Sequence, residues 1–457
     1  MFSIETWVEY YGVVAGFRRN AKLYLAHSLI SALAFSIEGL VFNLYILSLG
    51  FSKEFVGLLN SLPALAIAVL ALPLGLLSER LGHRKALVGA VLLQAAAVTG
   101  QVFFTGAGAL VALNLVLGIG IAFSQLLAGP LMARHSTEEE RTHLFAAQFA
   151  LMIFAGAVGA AIAGYIPSGV SLLMGLAQSG ESMGAYRGTV LVGGVCILLS
   201  ILPPLLMKEH VGADLASARP DDSVGRPPVG RPGGALVPAL QKTPGNEGET
   251  GSSATQIGLA AKFPGWAVTV RILTPQLLTA LGAGALMPFL NVFYKLQYRI
   301  SDPALGWLFS AGQVVMAGAV LLGPVLARTR GRTQALVWLY AGSLPFLIMM
   351  GFSPAFIWSA VAFVIRGAFM STVNPLFNAM AFEQVAQNCR LRLSSLMAMA
   401  WNAGWMVSAY ASGIVQEHYG FAPLFIFMGA LYALAAVSLR PFFPKPASAQ
   451  AASSADS

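Results

Sequence analysis

Apolar residues run along this chain in long unbroken blocks separated by short polar loops, without the face-by-face alternation of a soluble fold. The longest block, residues 86–133, passes 48 positions with no Asp, Glu, Lys or Arg. A bilayer core takes about 20 apolar residues per helix, so this block predicts two membrane spans joined by a turn at Thr105-Gly106-Ala107-Gly108. The same reading along the chain predicts twelve spans, near 23–48, 55–77, 86–104, 109–131, 144–167, 188–207, 268–293, 304–326, 334–351, 354–379, 392–415 and 421–439. Lipid admits only helices or closed barrels, and these blocks are too long and too uniformly apolar for barrel strands. The expected fold class is an all-α membrane protein.

Two stretches break the pattern. Residues 208–262 hold the Pro/Gly-rich run Ser223 to Gly234 and the small polar run Gly245 to Thr255, and residues 443–457 are similarly poor in apolar side chains. Neither stretch buries enough apolar surface to offset ordering entropy, so a disordered linker and a disordered tail are expected. The linker divides the chain into six-span halves, 1–207 and 263–442.

Composition agrees with the pattern. The chain is 57% hydrophobic and 10% charged, with mean hydropathy +0.72, where a soluble chain carries about 25% charged residues. Lys and Arg crowd one set of loops, at Arg18, Arg19, Lys22, Arg80, Arg84, Lys85, Arg134, Arg141, Arg328, Arg330, Arg332, Arg390, Arg392 and Arg440. The other loops hold Lys53, Arg187, Lys295 and Arg299. That asymmetry predicts cytoplasmic termini and linker in a multi-pass protein of the cytoplasmic membrane, and accounts for the net charge of +8 without a nucleic-acid partner. Residues 1–20, with Glu5 and Glu9, do not read as a cleavable signal. Cys196 and Cys389 are expected to form neither a disulfide framework nor a metal site, and no cofactor is expected.

The chain repeats itself. At an offset of 249, Gly82 recurs as Gly331, Ala86-Leu87-Val88 as Ala335-Leu336-Val337, Ser52 as Ser301, Gly57 as Gly306, Ser61 as Ser310, Gly118 as Gly367, Arg141 as Arg390 and Gly164 as Gly413. One offset held over so many positions is an internal duplication. Six spans return the chain to its starting side, so both halves insert in the same orientation.

The loop between spans two and three carries Gly75, Glu79, Arg80, Gly82, His83 and Arg84 in the register Gly-x-x-x-(Asp/Glu)-Arg-x-Gly-(Arg/His)-(Arg/Lys). With twelve spans, a central linker and a degenerate second copy, the chain resembles the major facilitator transporters over residues 20–440. The resemblance implies two pseudo-symmetric six-helix bundles around a midplane cavity lined by spans one, four, seven and ten. Gly82 is expected to make a tight turn and Gly75 to let a neighbouring helix approach. The resemblance also implies that Glu79 faces the start of span eleven, near Arg390 and Arg392, and stabilises one access state. In the second copy Glu79 is replaced by Arg328, followed by Arg330, while span five opens with Glu138 and Glu139. A charge-reversed latch is one reading; ordinary loop charge with a capping box from Ser136 to Glu139 is the other.

Two charges stand alone at mid-span: Glu38 in span one and Arg366 in span ten. A midplane charge costs at least a few kcal/mol, so it faces a cavity or a partner. Helical spacing places His27, Ser31, Glu38, Phe42 and Tyr45 on one face. Glu38 is the candidate proton-coupling residue, and Arg366 an anion site or partner to Glu38; a permanent structural ion pair is the alternative. Asn43 and Asn291 are nearly repeat-related, and Gly282, Gly284 and Pro288 predict a bend before Asn291. Tyr45, Asn374, Asn402 and Trp405 complete the cavity candidates. Drug/proton antiporters of the resembling family often carry Arg in span four before Gly-x-Gly, where this chain has Asn114, and a Gly-Pro-x-x-Gly-Gly element in span five, where it has Gly156, Gly159 and Gly164 without proline.

The expected function is secondary transport of a small organic solute by a monomer, with proton-coupled export of an amphipathic molecule as the leading form. Proton-coupled uptake of an organic anion against Arg366, or a non-transporting receptor or scaffold, are the alternatives. The spans offer too few convergent acids, nucleophiles or ligands for an enzyme.

Overall fold

The structure, a computed structural model, describes residues 16–175, 182–208 and 265–442, without the side chains of Ala71, Leu72, Leu76, Glu79, Glu138, Glu139, Thr142, Asn388, Leu391 and Pro441. The expected linker beyond Lys208 and the tail from residue 443 lie outside the described residues. Among those described, every regular element is a helix. The first half contains α1 (Arg19–Ser48), α2 (Lys53–Leu81), α3 (His83–Phe103), α4 (Ala107–Arg134), α5 (Glu138–Ala163), the short α6 (Ile166–Leu173), and α7 (Met183–Leu199) continued by α8 (Leu202–Leu206). The second half contains α9 (Trp266–Leu286), α10 (Leu290–Tyr298), α11 (Asp302–Val320), α12 (Gly323–Arg330), α13 (Arg332–Phe352), α14 (Phe356–Glu383), α15 (Arg390–Tyr419) and α16 (Ala422–Ser438). Among the described residues, ten helical stretches are long and apolar enough to cross a membrane, and α16 is a shorter apolar helix. α15 is long enough, yet Asn402, Ser408, Ser412 and Gln416 make it more polar than the rest.

Local chemistry repeats with the sequence. Ser52 caps α2 by accepting from the Phe55 N–H, and Ser301 caps α11 by accepting from the Ala304 N–H. Gly82 and Gly331 end α2 and α12 at φ 82° and 79°, a backbone region that disfavours any side chain. Between α9 and α10 the helix tightens into a 3₁₀ turn, Met287–Phe289, because Pro288 has no N–H to continue the ladder. This is the bend expected before Asn291.

The halves meet along two seams, α2 against α15 and α5 against α11. Repeat-related glycines make both. A Cβ on Gly57 would stand 2.8 Å from Gly413 Cα, and one on Gly306 would stand 3.1 Å from Gly164 Cα. The 249 offset exchanges the members of these pairs, so one symmetry operation turns one seam into the other. Gly159 adds a close approach of α5 to α1, its Cβ position 2.8 Å from the Leu33 carbonyl oxygen.

Two expectations are corrected. The capping box of α5 lies one residue later than the Ser136–Glu139 spacing suggests. Thr137 accepts from the Glu140 N–H and donates its own N–H to the Glu140 carboxylate, while Ser136 donates to the Met132 carbonyl and closes the preceding helix. Gly75 does not act as a packing glycine in this structure, since a Cβ there would meet nothing within 4 Å among the described residues.

Candidate functional site

Two adjoining cavities lie along α1. The inner one, about 270 Å³, is bounded by Glu38, Asn43, Asn60, Asn114, Asn291 and apolar walls including Phe35, Phe42, Phe309 and Trp405. The outer one, about 660 Å³, begins at Tyr24 and His27, near the end of α1 that carries Arg18 and Arg19, and is lined by Ser31, Gln94, Gln148 and Gln313 among others. Phe35 and Ile121 border both, so they stand between vestibule and inner chamber.

The helical stripe on α1 accounts for most of this wall. His27 and Ser31 line the vestibule; Glu38 and Phe42 line the inner cavity. Tyr45 leaves the stripe: it is fully buried and donates to the Gln101 carbonyl at 2.9 Å. The helical face is shared, but at this level α1 packs against α3, so Tyr45 is taken up by that contact and does not border the cavity. Glu38 is 8% exposed, lines the cavity and has neither an ion pair nor a hydrogen bond among the described residues.

The asparagines form a lock between halves at the α9–α10 break. Asn43 donates to the Pro288 carbonyl at 2.5 Å and to Asn291 Oδ1 at 3.2 Å, and Asn291 donates to the Leu40 carbonyl at 2.8 Å. Asn60 donates to Asn43 Oδ1 at 2.9 Å. The near-repeat pair thus joins two broken or polar helices, each hydrogen bond contributing on the order of 0.6 kcal/mol in a membrane setting.

Arg366 stands apart from Glu38. It is 3% exposed and lines neither cavity. Its Nη2 donates to Tyr432 Oη at 3.1 Å, its Nη1 meets Met287 Sδ at 3.4 Å, and its Nε has no partner among the described residues. Met287 also lines the inner cavity, so a single thioether separates the guanidinium from the chamber. Trp405 reaches the chamber; Asn402 donates to the Ala398 carbonyl of its own helix, and Asn374 is exposed.

On the face opposite the basic loops, the halves are tied by polar contacts that sequence reasoning missed. Lys295 pairs with the buried Asp302 of its own half at 2.7 Å, and Tyr186 reaches across from the first half to donate to the same carboxylate at 3.2 Å. Trp307 donates to Tyr165 Oη at 2.9 Å, and the Lys53 N–H to Glu417 at 2.9 Å. The available signal was an acid placed just after the Ser301 cap and a base on the helix before it. Asn60, Gln94 and Gln148 were missed because uncharged amides do not interrupt a hydropathy pattern.

The basic loops give a different picture. Arg84 donates to the Pro204 and Leu205 carbonyls, tying the Gly75–Arg84 loop to the end of α8. Arg332 pairs with Glu383, Arg390 donates to the Phe382 carbonyl, and the Arg330 guanidinium lies 4.6 Å over Trp338. Arg80 and Arg328 are exposed. The acids of the expected latch, Glu79, Glu138 and Glu139, lie outside the described side chains.

The family model for the Major Facilitator Superfamily matches residues 25–268 and 272–456. The chain belongs to this superfamily. A maltose permease of Geobacillus stearothermophilus is 29% identical over 169 residues, a match spanning 35% of this chain and 41% of that protein's length. Among solved structures, the nucleoside transporter NupG superposes with TM-score 0.63 at 14% identity, covering 93% of this chain and 100% of that one. A D-xylose-proton symporter gives TM-score 0.65 at 13% identity, over 93% and 97%. A bacterial homologue of the human lysosomal transporter Spinster, inward-facing and occupied, gives 0.66 at 14%, over 93% and 94%. At these identities the likeness is one of fold. Membership of the superfamily, together with its long apolar helices, makes the chain a multi-pass membrane protein.

Proposed function

We propose that this superfamily member is a proton-coupled secondary transporter of twelve spans in two six-helix bundles, with a small organic solute bound in the Glu38 chamber and Glu38 as the coupling group. The observation that carries the reading is a mid-span carboxylate lining a cavity without a hydrogen bond or ion pair among the described residues. Such a group changes charge with proton or solute occupancy, and a change confined to one access state biases the equilibrium between states. The basic loops are placed on the cytoplasmic side of the cell membrane, so the vestibule beginning at Tyr24 faces the cytoplasm.

An inward-opening vestibule with apolar walls suits loading of an amphipathic molecule for export. The uptake of an organic anion is less well supported, because Arg366 is engaged by Tyr432 and screened by Met287. Solute candidates are found by ligand stabilisation of the purified protein at two pH values. Their flux is then measured in proteoliposomes with an imposed pH gradient. Flux driven by the gradient supports the reading; binding without flux supports a receptor or scaffold instead.

A further inference from the structure

The amides around Glu38 are oriented by backbone carbonyls, which only accept. Asn60 commits both of its N–H groups, to the Val56 carbonyl at 3.0 Å and to Asn43 Oδ1. Asn43 commits both of its own, to Pro288 and Asn291. Asn114 anchors one on the Leu110 carbonyl at 2.8 Å, which fixes its amide the same way round. The oxygens of Asn60 and Asn114 and the carboxylate of Glu38, all on residues lining the chamber, have no donor among the described residues, and they outnumber the single N–H that each of Asn114, Asn291 and Trp405 leaves uncommitted. Among the described residues, no Lys, Arg or His lines it. The neighbouring ionisable groups, His27 on α1, Arg187 and Cys196 on α7, and Arg366 on α14, lie outside its wall. Phe35, Phe42, Phe309 and Trp405 present ring surface, which attracts a desolvated cation through its quadrupole.

A chamber with surplus acceptors, one negative charge and aromatic walls is complementary to a group that is both cationic and rich in N–H. We infer that the solute is a protonated amine with an apolar body, its ammonium on Glu38, Asn60 and Asn114 and its body against the rings. Ammonium and proton then exclude one another at one carboxylate, so binding of either requires departure of the other. The inference rests on the Glu38 chamber being the solute site, as proposed above.

The test compares three probes of one shape on purified wild-type protein by calorimetry: 2-phenylethylamine, 2-phenylethanol and phenylacetate. The amine is expected to bind at least about tenfold tighter than the alcohol, a difference of the size one charge contact supplies, and phenylacetate not at all. Amine affinity is expected to fall with pH where Glu38 takes up its proton, and in Glu38→Gln the amine and alcohol are expected to bind alike. Equal or tighter binding of the alcohol or the acid by wild type overturns the inference, as does binding of none of the three. Undiminished amine preference in Glu38→Gln also overturns it. These are equilibrium measurements, so amine binding without proton-driven flux leaves the inference standing and removes only the transporter reading.

Discussion

The two halves share their frame and differ in their chemistry. Ser52 and Ser301 make the same cap, Gly82 and Gly331 the same turn, and the glycine pairs Gly57–Gly413 and Gly164–Gly306 the same seam. Against that, the first half supplies an unpaired acid to the chamber, whereas the second buries its arginine among Tyr432, Met287 and Met428. The broken helix is also one-sided, at Met287–Phe289, while the related stretch of α1 stays continuous. Duplicated positions make the caps, turns and seams of the frame; unduplicated ones set the chemistry of the chamber and its surroundings.

The strongest way to break this comparison is at the shared seams. Gly57→Val and Gly306→Val each push a side chain into the backbone of the other half, where a Cβ alone would already be too close. Both are expected to reduce flux to background in proteoliposomes and to do so equally. If only one does, the seams are not equivalent and the symmetry is formal.

The next effect concerns the tie opposite the basic loops. Lys295→Met strands the buried Asp302 charge and should lower stability by about 3–5 kcal/mol, the usual cost of removing one partner of a buried pair. Adding Asp302→Asn should recover part of that loss in a melting experiment. A double variant no more stable than the single would show that the two residues act independently.

Smaller still is Tyr432→Phe, which removes a hydrogen-bond acceptor from Arg366. About 1–3 kcal/mol of stability should be lost, with the pH dependence of transport unchanged. A shifted pH profile would make Arg366 part of the coupling machinery rather than a support of the second bundle. The smallest effect is expected from Arg330→Ala, about 0.5–1 kcal/mol for an exposed cation over Trp338, seen as a slight fall in melting temperature.

Much of the frame was legible in the sequence, since hydropathy blocks, the 249 offset and the Pro288 bend each report a backbone constraint. Glu38 was legible for the same reason, because a lone charge in lipid has to face a cavity or a partner. Arg366 looked equivalent by that rule and is not, because thioethers, a phenol ring and its hydroxyl can hold a guanidinium inside one bundle without leaving a trace in hydropathy. Gly75 shows the converse: a motif glycine invites a packing explanation, but open space surrounds it. The Lys295–Asp302 pair escaped notice because charges beside a loop read as solvated until a fold buries them. The amides of Asn60 and Asn114 acquire meaning only from the direction of their hydrogen bonds, which no residue pattern encodes.

The central claim is that one unpaired carboxylate, Glu38, links proton movement to solute movement. It is tested most directly by following protons and solute together in proteoliposomes, with a pH-sensitive dye and a labelled solute, for wild type and Glu38→Gln. The account predicts coupled movement in wild type, and in Glu38→Gln solute exchange that continues without moving protons and no longer responds to a pH gradient. Proton movement retained by Glu38→Gln at the wild-type ratio would contradict it.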